Sequence, residues 1–193
     1  KRAMDVVDLF REDETRDELG IGVIRDAIAD RLFPGTSTIQ TRVRYFLFIA
    51  WLFRGLNARD AAPERFAQRI RQLQDRVRES LVKGGESLGV IGFRAGRAVQ
   101  RLPSSVYWHG LQRLGMLRFR GSEYDYRSSL VGPIRGGASL TNDDGEPLDD
   151  SQGGLWDTRL PDAPDSWLEA TSFKLTPEEA EYMAHRINMS AGE

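Results

Sequence analysis

A chain of 193 residues with 40% hydrophobic side chains can bury a sizeable core as one compact domain with an appendage or as two small domains, and this excludes a disordered chain. Because it contains no cysteine, it can build no disulfide framework, no thiolate zinc site and no cysteine nucleophile. The net charge of −2 hides an uneven distribution. From Arg65 to Arg127 basic residues exceed acidic ones by about eight, and from Asn142 to Glu193 acidic residues exceed basic ones by about ten.

The sequence opens Lys1-Arg2-Ala3-Met4 and then turns acidic, with no apolar signal segment, so a cytoplasmic protein is expected. The absence of Met at position 1 and the ending Ala191-Gly192-Glu193 point to a piece of a longer parent. Met4 to Phe10 reads as a short helix. The Thr15-Arg16-Asp17-Glu18 segment has the hydroxyl-x-x-carboxylate form of a capping box. Ile24, Ala27, Ile28 and Leu32 then repeat at helical spacing until Pro34-Gly35 stops the run. Gly35-Thr36-Ser37-Thr38 offers N-caps for the next helix, and it lacks the lysine and spacing of a phosphate-binding loop.

That next helix runs through Ile39, Val43, Phe46, Leu47, Ala50 and Trp51, apolar on several sides and therefore central. Its apolar stretch, Tyr45 to Phe53, is flanked by Arg42, Arg44 and Arg54 and is far shorter than the roughly 20 residues that cross a bilayer, so no membrane is expected as a partner. Pro63 suits a first helical turn. Phe66, Ile70, Leu73, Val77 and Leu81 then form an apolar stripe, with Arg65, Arg69, Arg71, Arg76 and Arg78 mostly on other faces, and Gly84-Gly85 ends the helix. Residues 86–102 read as a tightly packed helix whose Gly89, Gly92 and Gly96 admit a close neighbour, stopped by Pro103.

Ser104 or Ser105 is expected to cap a helix carrying Val106, Tyr107, Trp108, Leu111 and Leu114. Met116–Phe119 and Tyr124–Val131 alternate as short strands around Gly121-Ser122, a hairpin. Helix, glycine-ended turn and basic hairpin together have the order of a winged helix-turn-helix. In such a unit Ser104, Ser105, Tyr107 and Gln112 would face a major groove of DNA, while Arg113, Arg118 and Arg120 would neutralise phosphates. A structural packing unit has the same pattern. Likewise Tyr107, Trp108, Phe119, Tyr124 and Tyr126 either stack on unpaired bases or fill the core.

Residues 136–165, rich in Gly, Asp, Pro and Ser, read as an exposed acidic loop in which Asp143-Asp144 and Asp149-Asp150 are solvated. Thr176-Pro177-Glu178-Glu179 combines an N-cap, a first-turn proline and a capping-box carboxylate, so a helix follows to Ile187. His109 and His185 stand alone, without metal spacing or a nucleophile motif. No catalytic residue, metal site or cofactor is expected.

The expected fold is mainly α with a small β-hairpin: a multi-helix core over 4–135 with a winged helix-turn-helix-like unit at 88–131, the loop at 136–165, and a terminal segment with a capped helix at 166–190. Opposite charge also predicts that the acidic end folds back over the basic middle.

At Asp17-Glu18-Leu19-Gly20-Ile21-Gly22, Arg25-Asp26-Ala27, Leu32-Phe33-Pro34-Gly35-Thr36-Ser37, Gln40-Thr41-Arg42, Arg44-Tyr45-Phe46-Leu47-Phe48 and Leu102-Pro103-Ser104-Ser105-Val106-Tyr107-Trp108, with a looser echo at Leu175–Glu181, the chain resembles an uncharacterised bacterial family. The resemblance implies a domain of unknown function encoded near helicase and phospholipase D-like genes in antiphage neighbourhoods, and it assigns no catalytic residue. Three readings follow. The first is a noncatalytic DNA-binding or adaptor component of a defence system, the second a scaffold that docks a helicase or nuclease without touching nucleic acid, and the third a hydrolase or nuclease assembled from distant carboxylates.

Overall fold

The computed structural model describes residues 40–56, 63–131, 140–141, 147–148 and 155–191. The helices expected before residue 40, the Thr36–Thr38 caps, and the Asp143-Asp144 and Asp149-Asp150 pairs lie outside the described residues.

The apolar run at Tyr45–Phe53 becomes the centre of the molecule. Helix α1 (Arg44–Arg54) is buried on every side from Arg44 through Phe53, as a helix apolar all round must be. It packs against α2 (Pro63–Lys83) and α3 (Pro103–Arg113), and α4 (Glu123–Val131) lies against both α2 and α3. Aromatic rings fill the joints: Tyr45 and Phe46 meet Tyr107, while Phe53, Trp108, Phe119 and Tyr126 form an edge-to-face cluster under α4. Among the described residues no helix is long and apolar enough to cross a membrane.

Helix α2 buries the expected stripe, with Phe66, Ile70, Val77 and Leu81 inside and Leu73 partly so. It starts at Pro63 and ends at Gly84-Gly85, where the Gly85 amide bonds Val82 O and the Glu86 amide bonds Leu81 O. That pair of bonds satisfies carbonyls the helix would otherwise leave open. The same device closes α3 at Gly115, whose φ of 62° is the left-handed conformation, with bonds from Gly115 N to Gln112 O and from Met116 N to Leu111 O.

Three expectations are corrected. Residues 86–102 form a chain of turns and one 3-10 turn (Gly96–Ala98) in place of a helix, because Gly89, Gly92 and Gly96 all take positive φ and cannot propagate a right-handed helix. The hairpin at 116–131 is absent: Tyr124–Val131 belongs to α4, and Leu117 instead bridges Trp156 through Arg118 N to Leu155 O and Asp157 N to Met116 O. Ser122 explains the switch. Its hydroxyl accepts from the Asp125 amide at 3.1 Å while the Asp125 carboxylate accepts from the Ser122 amide at 2.8 Å, a complete capping box. Finally, part of the stretch expected to be an exposed loop is core, with Leu155, Trp156, Asp157 and Leu160 buried. Among the described residues, strand pairing outside that bridge is confined to β1 (Leu140–Thr141) against β2 (Pro147–Leu148), antiparallel.

The terminal helix α5 (Pro177–Ala191) begins as its signature predicts. The Glu179 amide donates to Thr176 Oγ1 at 3.2 Å, and the Thr176 amide donates to Glu179 Oε2 at 3.0 Å.

Candidate nucleic-acid interface

The residues expected to read a groove from α3 are mostly occupied within the fold. Ser104 is fully buried, its amide donating to Gln74 Oε1 at 2.8 Å and its hydroxyl accepting from Gln74 Nε2 at 3.0 Å. Gln74 of α2 thus satisfies a helix-start amide of α3 that no side chain of α3 itself caps; Leu102 is the N-cap position and carries no capping bond. Ser105 is exposed, but its hydroxyl turns back onto Leu102 O at 2.8 Å. Tyr107 is buried against α1, donating to Arg42 O at 3.0 Å and accepting from Arg42 N at 3.1 Å, and burial pushes its phenol up to about 12. Gln112 holds the turn after α3, donating to Phe119 O and Gly121 O. Arg113, Arg118 and Arg120 are exposed. Of the aromatic group, Tyr107, Trp108 and Tyr126 are core, Phe119 is half-buried and Tyr124 is exposed.

A different constellation emerges on α2. At about 100° per residue, Arg65, Arg69, Arg76 and Lys83 fall within an arc of about 40°, a row about 27 Å long on one long edge of the helix. All are exposed, and none forms an ion pair with a described residue. The opposite edge carries Arg71 and Arg78. Arg71 donates to Arg97 O and Val99 O, both at 3.0 Å, which fastens the glycine-rich segment along α2, and Arg78 lies 3.8 Å from Asp75 and 3.3 Å from Glu79. That segment carries the exposed cations Arg94, Arg97 and Arg101, of which Arg97 lies beside this second edge, 4.0 Å from Glu79. Between the two edges, the exposed crest presents Gln68, Gln72 and Glu79. Each of these residues was visible in the sequence; spacing read on a helical wheel, with positions 65, 69, 76 and 83 in line, was the signal that singles them out from the other arginines.

The acidic end does fold back, onto α1, onto the end of α2 through Thr171 N to Ser80 O, and onto the segment after α3 through Arg118 N to Leu155 O, with its charges answered on α1 and within itself. Arg44 is buried, donating to Glu179 Oε1 and to Ser172 O at 2.7 Å each, with the Phe48 ring beneath it. Arg54 meets Asp162 at 3.3 Å. Asp157, also buried, accepts from the Arg159 amide and the Tyr182 hydroxyl and lies 3.3 Å from Arg186 Nη1, while Arg186 Nε donates to Leu114 O at 2.6 Å. Burial alone would push the Asp157 carboxyl up. The Arg159 amide, the Arg186 and Arg159 guanidiniums and the Tyr182 hydroxyl outweigh it and hold the group below the ordinary aspartate value. Burial and the neighbouring Asp157 charge in turn push the Tyr182 phenol above its ordinary range. Among the described residues, no carboxylate of 155–191 pairs with a cation of the Arg65–Arg127 region. The buried carboxylates among the described residues of that end, Asp157 and Glu179, are taken up by arginines. His109 and His185 are exposed on their helices.

A family model described as a family of unknown function (DUF6361) matches residues 1–193. The chain belongs to that family. This agrees with the resemblance drawn from the Asp17–Gly22 and Leu102–Trp108 segments, and it assigns no reaction. Comparison with curated proteins and with solved structures returns no match.

Proposed function

We propose that this chain is a noncatalytic nucleic-acid-binding component, acting in the cytoplasm as part of the antiphage setting that the family resemblance implies, and that it grips the phosphate backbone with α2. The observation that carries the reading is the row Arg65, Arg69, Arg76 and Lys83, exposed and without an ion pair among the described residues. Like charges held in line on a rigid helix repel one another, and an anionic partner relieves that cost. Arginine favours phosphate oxygens in particular, because its planar guanidinium can donate two parallel hydrogen bonds to them. The nearby carboxylates Asp75 and Glu79 do not cancel the row, since both lie against Arg78.

Binding of a labelled DNA by the full chain, followed by fluorescence anisotropy over a salt series, tests the proposal. Engagement of the row predicts a log–log salt slope of about −3 to −4 on B-form DNA. No binding at about 50 mM salt, where phosphate contacts are strongest, overturns it.

A scaffold that docks a helicase or nuclease is favoured by a separate observation. Val82, Leu88 and Phe93 are exposed by 42%, 77% and 45%, three bare apolar side chains within one stretch of chain. Co-purification of a stable protein partner that survives nuclease treatment supports this reading, and loss of the partner on nuclease treatment refutes it.

A further inference from the structure

Resting on the nucleic-acid reading of α2, we infer that its target is double-stranded DNA, straddled with α2 along the major groove and one row of cations facing each backbone. A B-form major groove is about 12 Å wide, which admits an α-helix of about 10–12 Å diameter, and its two walls are rows of phosphates. Helix α2 has the matching layout. The row Arg65, Arg69, Arg76 and Lys83 borders one long edge. The segment bearing the exposed cations Arg94, Arg97 and Arg101 borders the other, tied down by Arg71 through Arg97 O and Val99 O and packed at Gly92 against Val99 and Arg78. The crest between the rows carries Gln68 and Gln72, whose amides both donate and accept and can meet base edges, and Glu79, whose charge is answered by Arg78 at 3.3 Å and Arg97 at 4.0 Å.

Single-stranded nucleic acid asks for something else: exposed rings on which successive bases stack between the cations. Helix α2 contributes one ring, Phe66, and it is buried. Tyr107, Trp108 and Tyr126 are buried as well, and exposed Tyr124 holds the Arg127 guanidinium 5.8 Å from its ring centre. Phe93 is exposed alone on the glycine-rich segment. A cationic row on one edge of a polar crest, with further cations on the segment fastened to the other edge, fits a duplex, and a stacking platform is missing from α2.

The test compares the full chain on a duplex of about 20 base pairs with each of its separate strands at matched salt, beside R65Q/R69Q/R76Q and R94Q/R97Q variants checked for an unchanged circular-dichroism spectrum. The expected result is duplex affinity at least about tenfold above either strand, with each variant losing about tenfold or more on the duplex and the salt slope falling by about one per cation removed. Equal or tighter binding of single strands, or sensitivity to one row alone, overturns the duplex assignment while the nucleic-acid reading stands. Failure to bind either form, or binding only to anionic lipid vesicles offered in parallel, overturns both.

Discussion

Arginine does opposite work in α2 and around α5. Arg44, buried, and Arg186, half-buried, on the two sides of the α5 interface, are matched to the buried Glu179 and Asp157, so that one terminal helix is docked largely through ions and their hydrogen bonds, with Tyr182 and Met183 as its apolar contacts. Arg65, Arg69 and Arg76 on α2 are exposed and form no ion pair with a described residue. The first set is committed to holding the fold and is expensive to break. The second contributes little to the fold and is free to meet another molecule. The chain's split into a basic middle and an acidic end is therefore two separate uses of charge, with no ion pair between 155–191 and the Arg65–Arg127 cations among the described residues.

The comparison breaks most visibly at Arg44. Arg44→Ala leaves Glu179 buried without its partner and should cost about 3–5 kcal/mol in urea unfolding, whereas Arg44→Met with Glu179→Leu should recover most of that loss because the stranded charge is gone. A small loss in the single variant would mean that the pair is not the clasp described. Gly115→Ala comes next, at about 2 kcal/mol. Its left-handed φ opposes any side chain, and a β-carbon there would run into the Arg186 guanidinium.

Asp157 sharpens the contrast through pH. Its carboxyl is held below the ordinary aspartate value in the folded chain, so its contribution is complete above that value and is lost as pH falls through the folded pKa. Wild-type stability should decline on acidification below about pH 4 more steeply than that of Asp157→Asn, measured by thermal unfolding across a pH series. Parallel curves for the two proteins would show that Asp157 carries no such linkage. Thr176→Ala removes one half of the α5 capping box and should cost about 1 kcal/mol. At the far end of the scale, R65Q/R69Q/R76Q should change stability by no more than about 0.5 kcal/mol, the behaviour of surface residues without partners.

The parts of the fold legible in the sequence are those fixed by neighbours a few residues away. The apolar run of α1, the stripe and the Pro63 and Gly84-Gly85 ends of α2, and the Thr176–Glu179 capping box all follow from local chemistry. Tyr124–Val131 was equally local, yet its tyrosines at alternate positions imitate a strand; Ser122-Glu123-Tyr124-Asp125, a second capping box, is the feature that decides for a helix. The groove-reading roles expected of Ser104 and Tyr107 fail for a different reason. Their partners, Gln74 and the Arg42 backbone, lie 30 and 65 residues away, and no local pattern announces such distant bonds. The same holds for residues 155–160, which read as loop because the stretch 136–165 around them is rich in Gly, Asp, Pro and Ser, while Trp156 donates to the Tyr126 hydroxyl in the core. The α2 row was legible in full, since a wheel needs only the positions of Arg65, Arg69, Arg76 and Lys83; which of the many arginines were already engaged could be known only from the fold.

The claim that binding and folding use different arginines is tested most directly by the salt dependence of duplex binding for three proteins: wild type, R65Q/R69Q/R76Q/K83Q, and R113Q/R118Q. Four phosphate contacts on B-form DNA contribute a slope of about −3.6, so the quadruple variant should lose about that much of the wild-type slope, keeping the share of Arg94, Arg97 and Arg101, with its unfolding midpoint unchanged, and R113Q/R118Q should lose less. An undiminished slope in the quadruple variant, or a larger loss in R113Q/R118Q, would contradict the assignment of the interface to α2.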